Sequence, residues 1–128
     1  MKQLRVSVII PVFNEQDSIT RVLAGLPKHL IHEIIVVDNG STDKTAQLAA
    51  EAGARVVAES RRGYGSACLK GIASSDNPDI IAFIDGDYSD HPEEMTRVLA
   101  PLLEDRADFC IGSRVLGNRE PGALLPQA

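Results

Sequence analysis

The sequence has no basic stripe. Its 13 Lys and Arg against 18 Asp and Glu leave a formal net charge of −5, with a pI near 5.1. An extended nucleic-acid surface needs clustered Lys and Arg to neutralise phosphates. Arg61-Arg62 is the only tight basic pair outside scattered positions, so nucleic acid is not expected as a partner. No apolar run approaches the roughly 20 residues of a membrane span. The N-terminus also lacks the apolar core of a secretory signal, and a cytoplasmic location is the expectation. Cys68 and Cys110 form no Cys-x-x-Cys or other metal spacing, which points to buried reduced thiols rather than a disulfide. No Gly-x-Gly-x-x-Gly loop follows the first apolar run, which argues against a dinucleotide-dependent oxidoreductase.

What is present alternates between two periods. Apolar, β-rich runs at Val6–Ile10, Glu33–Asp38, Arg55–Ala58, Ile80–Ile84 and Phe109–Ile111 predict strands. The first, second and fourth are nearly continuously apolar, as strands covered on both faces must be. Between them Ile19, Val22, Leu23 and Leu26 recur at the spacing of one buried helix stripe. Met95, Val98, Leu99 and Leu102 repeat that spacing after Pro92 and the acidic pair Glu93-Glu94, with a break expected at Pro101. The pattern predicts an α/β fold with a mostly parallel sheet flanked by helices. No repeat or linker interrupts it, so residues 1–114 read as one unit. Residues 115–128, with Gly117, Pro121, Gly122 and Pro126, read as an irregular tail. A chain of 128 residues can bury a real core but is short for a complete two-substrate enzyme.

In an open parallel sheet, ligands bind beyond the carboxyl ends of the strands. Here those ends carry Pro11-Val12-Phe13-Asn14-Glu15, Asp38-Asn39-Gly40-Ser41-Thr42-Asp43, Asp85-Gly86-Asp87 and Gly112-Ser113-Arg114. In Asp85-Gly86-Asp87, two carboxylates flank a glycine that permits close approach to the main chain. Hard oxygen ligands of this kind suit Mg²⁺ or Mn²⁺; taken alone, the tripeptide also suits a turn. Asp38 is placed to meet a base or ribose, or to close a turn. Asn14 suits the cap of the first helix, and Ser41 or Thr42 the cap of the second. The glycines of Arg62-Gly63-Tyr64-Gly65 precede a helical stretch from Ala67 to Ala73, where backbone amides suit a phosphate. His29 and His32 read as surface residues flanking a loop, and His91 as part of a helix entry.

Taken in order, Val8-Ile9-Ile10-Pro11-Val12-Phe13-Asn14-Glu15, Ile35-Val36-Val37-Asp38-Asn39-Gly40-Ser41-Thr42-Asp43 and Phe83-Ile84-Asp85-Gly86-Asp87 resemble the motifs of family 2 inverting glycosyltransferases. The likeness continues in Arg62-Gly63-Tyr64-Gly65 and in 107–114. It is nearest the branch with dolichyl-phosphate mannose synthase and bacterial polyprenyl-phosphate glycosyltransferases. The resemblance implies a GT-A type fold, a nucleoside-diphosphate sugar as donor and Mg²⁺ or Mn²⁺ as cofactor. Pro11, Val12, Phe13 and Glu15 would line the nucleoside pocket, and Asp38 would meet the base or ribose. Arg62 and Gly63 would serve the phosphates. Asp85 and Asp87, around Gly86, would form the Asp-x-Asp metal motif, and Arg114 would approach the diphosphate or sugar. Ser89 stands where that branch often has Gln.

By the same resemblance, the catalytic base and acceptor-side residues lie beyond this chain, which reads as a donor-binding half. A polyprenyl phosphate or another acceptor would complete the reaction, with any membrane association carried by segments outside this sequence. The alternative from a different class is a noncatalytic nucleotide-binding module or incomplete half-domain that needs a partner or the missing C-terminal part; a homo-oligomer is a separate expectation, since a missing half would leave apolar surface that drives association. An Asp-x-Asp phosphatase would carry its nucleophile on the first strand, whereas here the paired aspartates follow the fourth.

Overall fold

The computed structural model describes residues 4–88, 92–97, 99, 110–111 and 114–115. The elements are β1 (Val6–Val12), α1 (Ile19–Gly25), β2 (Glu33–Asp38), α2 (Thr45–Glu51), β3 (Arg55–Ala58), α3 (Tyr64–Ser74), β4 (Ile80–Phe83), β5 (Cys110–Ile111) and β6 (Arg114–Val115). They form one sheet in the order β3-β2-β1-β4-β5-β6. All neighbours are parallel except the β5–β6 pair.

The apolar runs of β1, β2 and β4 are continuous because both faces are covered. On one face Val6, Val8, Ile10 and Val12 pack with Val36, Ala82 and the α1 stripe of Ile19, Val22, Leu23 and Leu26. On the other, Ile9, Ile35, Val37 and Phe83 pack against Ala67 and Cys68 of α3. Each fully buried branched side chain contributes about 1.5–3 kcal/mol relative to exposure. α3 comes close enough that a methyl group added at Gly71 would run into the Ile9 side chain.

β1 extends two residues past the run predicted for it, since β2 offers Val37 and Asp38 as partners for Pro11 and Val12. Even-numbered residues of β1 bond toward β2, as the Val6 and Val12 carbonyls show, whereas the Ile9 carbonyl accepts from Ile84 on the β4 side. The position of Pro11, which has no N–H, therefore faces the side on which pairing with β4 has ended at Ile9 and Phe83.

Other boundaries moved as well. The ladder stops β4 at Phe83, and α3 starts at Tyr64, after Gly63 at φ +128°; β5 is described at Cys110–Ile111, and Phe109 lies outside the described residues. β6 was not anticipated; it takes in Arg114 and Val115, and the rest of the predicted tail lies outside the described residues. Pro92–Glu94 form a 3-10 turn leading into helical residues 95–97. Met95 and Leu99 are buried, while Val98, Pro101 and Leu102 lie outside the described residues.

The expected caps are corrected. α1 begins after Ser18 with no side-chain cap, because Asn14 turns away in a left-handed conformation at φ 54°. Its Oδ1 accepts from the Thr42 amide (2.8 Å), and its own amide donates to Ser41 Oγ (2.9 Å). Ser41 and Thr42 are thereby committed to the β1 loop and do not cap α2. The carboxylate at the start of α2 is that of Asp43, whose Oδ1 accepts from the Thr45 amide (2.9 Å) and the Thr45 hydroxyl.

The loop after β1 and the loop after β2 are cross-bonded further. The Glu15 amide donates to Thr45 Oγ1 at 2.8 Å, the Gln16 amide to Asp43 Oδ2 at 3.3 Å, and the Lys44 amide to Gln16 Oε1 at 3.2 Å. Burial by itself would raise the Asp43 pKa. The bonds from the Thr45 hydroxyl and from the Thr45 and Gln16 amides outweigh it and hold the carboxyl below its ordinary value.

Two outcomes are expected in urea denaturation. Gly71→Ala lowers stability by about 1–2 kcal/mol, since overpacking against Ile9 exceeds the gain in helix propensity; a stability equal to or above wild type would refute the close contact. A carboxyl with a depressed folded pKa stabilises above its unfolded value and loses that contribution as pH falls through the folded one. Asp43→Asn therefore lowers the urea midpoint at pH 7, and its gap to wild type closes as the pH drops below about 4. A gap independent of pH would contradict the charged role of Asp43.

Candidate functional site

A cleft of about 400 Å³ opens at the carboxyl ends of the central strands. It lies where the chain order reverses: β2 and β3 are added on one side of β1, and β4 is added on the other. Such a topological switch point is where open α/β sheets take their ligands. The end of β1 supplies Pro11, Val12, Phe13 and Glu15. The segment after β4 supplies Asp85, Gly86 and Asp87, and the entry to α3 supplies Arg62 and Gly63. Nine of the eleven residues singled out in the sequence thus meet in one cleft.

Two stand apart from the lining. The Asp38 carboxylate, at the end of β2, accepts from the Ser41 amide at 2.9 Å, which is the turn that the sequence left open beside a base or ribose contact. Arg114 is placed by its backbone in β6 at the sheet edge. Asn39, Tyr64 and Ala67 line the cleft without having been singled out. Asn39 and Tyr64 sat inside quoted motifs, and only their position between strand end and helix start was a signal.

The Asp85-Gly86-Asp87 segment is fixed from two sides. The Ile84 amide donates to the Ile9 carbonyl at 3.1 Å, and Ser18 Oγ donates to the Gly86 carbonyl at 2.6 Å. Glycine is required at 86 by space: a Cβ there would lie 2.7 Å from Val12 Cγ1. Any larger residue would have to displace the Val12 side chain or shift this segment against β1.

Negative charge crowds this end of the sheet. Burial raises the Glu15 pKa, and Asp87, Asp43 and Asp85 raise it further against an opposing Ser18 hydrogen bond. The cleft therefore favours a cation beside Glu15, Asp85 and Asp87. Among the described residues no group of three or more His, Cys, Asp or Glu is arranged to hold a metal ion by itself. Mg²⁺ and Mn²⁺ are commonly held by one or two carboxylates that share the ion with substrate phosphates. Asp85 and Asp87 fit such an ion.

Positive charge enters from the other wall, where the Arg62 guanidinium lies 3.9 Å from the centre of the half-exposed Phe13 ring, a cation–π contact. Beyond Asp87, Arg21 sits 4.3 Å over the Tyr88 ring. Neither His29 nor His32 lines the cleft; both border a separate hollow with Leu4 and Arg5. His91 lies outside the described residues. Cys68 is a buried free thiol whose pKa is pushed up to about 11, chiefly by burial, so it is not a nucleophile near neutral pH.

Comparison with known proteins gives this geometry its relatives. The chain is 42% identical over 120 residues to an uncharacterised glycosyltransferase of Mycobacterium tuberculosis, covering 94% of this chain and 51% of that protein. It is 34% identical over 131 residues to an undecaprenyl-phosphate 4-deoxy-4-formamido-L-arabinose transferase of Pseudomonas fluorescens, covering 93% of this chain and 37% of that one. The chain thus spans about half, or less, of the length of these relatives. Among solved structures it matches glucosyl-3-phosphoglycerate synthase from Mycobacterium tuberculosis, in complex with Mn²⁺, UDP-glucose and glycerol 3-phosphate. The TM-score is 0.71 at 35% identity, over 78% of this chain and 40% of that one. The fold is accordingly of the GT-A type. The model of Glycosyl transferase family 2 matches residues 7–127, and the chain belongs to that family.

Proposed function

We propose that this chain is the donor-binding half of a metal-dependent inverting glycosyltransferase. The observation that carries the reading is the convergence of Asp85 and Asp87 with Glu15, Phe13 and Arg62 in one cleft at the switch point. In this reading the Pro11–Phe13 segment and Glu15 receive the nucleoside of a nucleoside-diphosphate sugar. Asp38, whose Oδ1 holds the Ser41 amide, keeps its second oxygen for the base or ribose. Arg62 meets the phosphates beside Gly63, and Arg114 is assigned to the diphosphate or sugar. Asp85 and Asp87 hold Mg²⁺ or Mn²⁺, which supplies charge neutralisation for a departing nucleoside diphosphate. The solved relative with Mn²⁺ and UDP-glucose supports that cofactor and donor class.

Mechanistically, the protein's work is positional and electrostatic. The apolar floor at Pro11 and Val12 and the cleft wall at Gly86 fix the donor, so that the anomeric carbon faces an acceptor oxygen. Inversion requires one direct displacement, and the pair of electrons in the broken C–O bond leaves on the diphosphate. A phosphate acceptor is already ionised and needs no strong base, whereas a hydroxyl needs one. The lipid-phosphate acceptor named for the Pseudomonas relative supports a polyprenyl phosphate. Such an acceptor would place the enzyme at a membrane face, although among the described residues no helix is long and apolar enough to cross a membrane. The half-length match to relatives favours a second reading, in which this chain binds nucleotide but transfers sugar only with further surface supplied by a partner or by additional chain.

Calorimetric titration with UDP, GDP and their common sugar conjugates, with and without Mn²⁺, tests the site. Metal-dependent binding of one nucleotide is expected, weakened at least ~10-fold in Asp87→Ala, the scale of one lost charged contact. A folded protein that binds none of them would overturn the reading. Sugar release or transfer by the purified chain would remove the second reading.

A further inference from the structure

The segment 59–63 between β3 and α3 is largely exposed and belongs to no helix or strand, yet it delivers Arg62 and Gly63 to the cleft. Its placement traces to one side chain. Asn39, only 6% exposed, donates from Nδ2 to the Glu59 carbonyl at 2.8 Å and to the Arg61 carbonyl at 2.9 Å. Its Oδ1 accepts from the Gly63 amide at 2.9 Å, and its own amide donates to the Val12 carbonyl at 2.9 Å. Both amide hydrogens and the amide oxygen are engaged. A primary amide is the group that can serve two carbonyls and an N–H at once from so short a stem.

The consequences run into the cleft on both walls. Gly63 is held at φ +128° at the start of α3, and Arg62 is set over Phe13. The Asn39 backbone ties the same residue to the end of β1. We infer that Asn39 is a positioning residue, which takes up the Gly63 amide and sets the 59–63 segment so that Arg62 meets the phosphates of a bound nucleotide. The inference rests on the proposed nucleotide site but assigns Asn39 no contact with reacting atoms. Aspartate at 39 keeps the acceptor for Gly63 and turns a negative oxygen toward two carbonyls that can only accept, so the segment is released.

Trypsin reads the segment directly, because the Arg61–Arg62 peptide bond begins at the carbonyl that Asn39 holds. In the absence of nucleotide, Asn39→Asp should be cut after Arg61 and Arg62 at least ~10-fold faster than wild type, while cuts after Lys28 and Lys44 stay within about twofold. Calorimetry with the nucleotide that wild type binds should show at least a ~10-fold loss, the scale of one such hydrogen bond. Asn39→Ala, which brings no charge into the buried position, should repeat both results. Unchanged cleavage or unchanged affinity overturns the positioning role and leaves the nucleotide site standing. Faster cleavage at every site, Lys28 and Lys44 included, overturns it in favour of general destabilisation. Absence of nucleotide binding by wild type overturns the site and the role together.

Discussion

Parallel strands that end together leave their last amides without partners, and a cleft built there needs those amides satisfied before it can hold a shape. In this chain the loops after β1 and β2 satisfy one another. Asn14, Ser41 and Thr42 exchange hydrogen bonds, Thr45 receives the Glu15 amide, and Asp43 and Gln16 reach across in opposite directions. The left-handed conformation of Asn14, which costs energy in isolation, is held by these bonds. Everything in the cleft follows from this closure. Phe13 and Glu15 are presented by a loop that cannot move independently of β2, and Asn39 extends the same logic to the entry of α3.

On that rigid frame the charges are arranged asymmetrically. Glu15, Asp85 and Asp87 gather where the β1 and β4 ends meet, and Arg62 approaches from the α3 side over an aromatic face. A polyphosphate bridging a cation on one wall and a guanidinium on the other suits such a field better than a neutral ligand. The fold thereby separates two tasks. Apolar burial on both faces of the sheet provides stability, and the strand ends, relieved of that task, carry the charged side chains of the cleft.

The sheet was legible because period and composition report burial directly. Strands covered on both faces have no polar alternation, and the Ile19, Val22, Leu23 and Leu26 stripe could pack only one way. The ordered motifs were legible for the same reason: carboxylates at the end of apolar runs must emerge together at the edge of a parallel sheet. The caps were not. Asn14, Ser41 and Thr42 each have a plausible local partner, yet each bonds a group 27 or 28 residues away. Local spacing cannot rank a near acceptor against one brought close by strand pairing. Asn39 was hidden in the same way, since its value lies in carbonyls 20 and 22 residues downstream. β6 has only two residues, too short for any alternation to show.

Pro11 has a geometric meaning that bears on what the cleft can become. β1 runs on to Val12, while its pairing with β4 stops at Ile9, so a ledge of three residues, roughly 10 Å at the rise of a strand, stands above its neighbour. A residue with an N–H at position 11 would aim that donor across the ledge, inviting water or another peptide strand to fill the step. Proline offers only a ring. The depth of the cavity is therefore written into the stagger of two strands, and side-chain substitution can reshape its walls but cannot make it shallower.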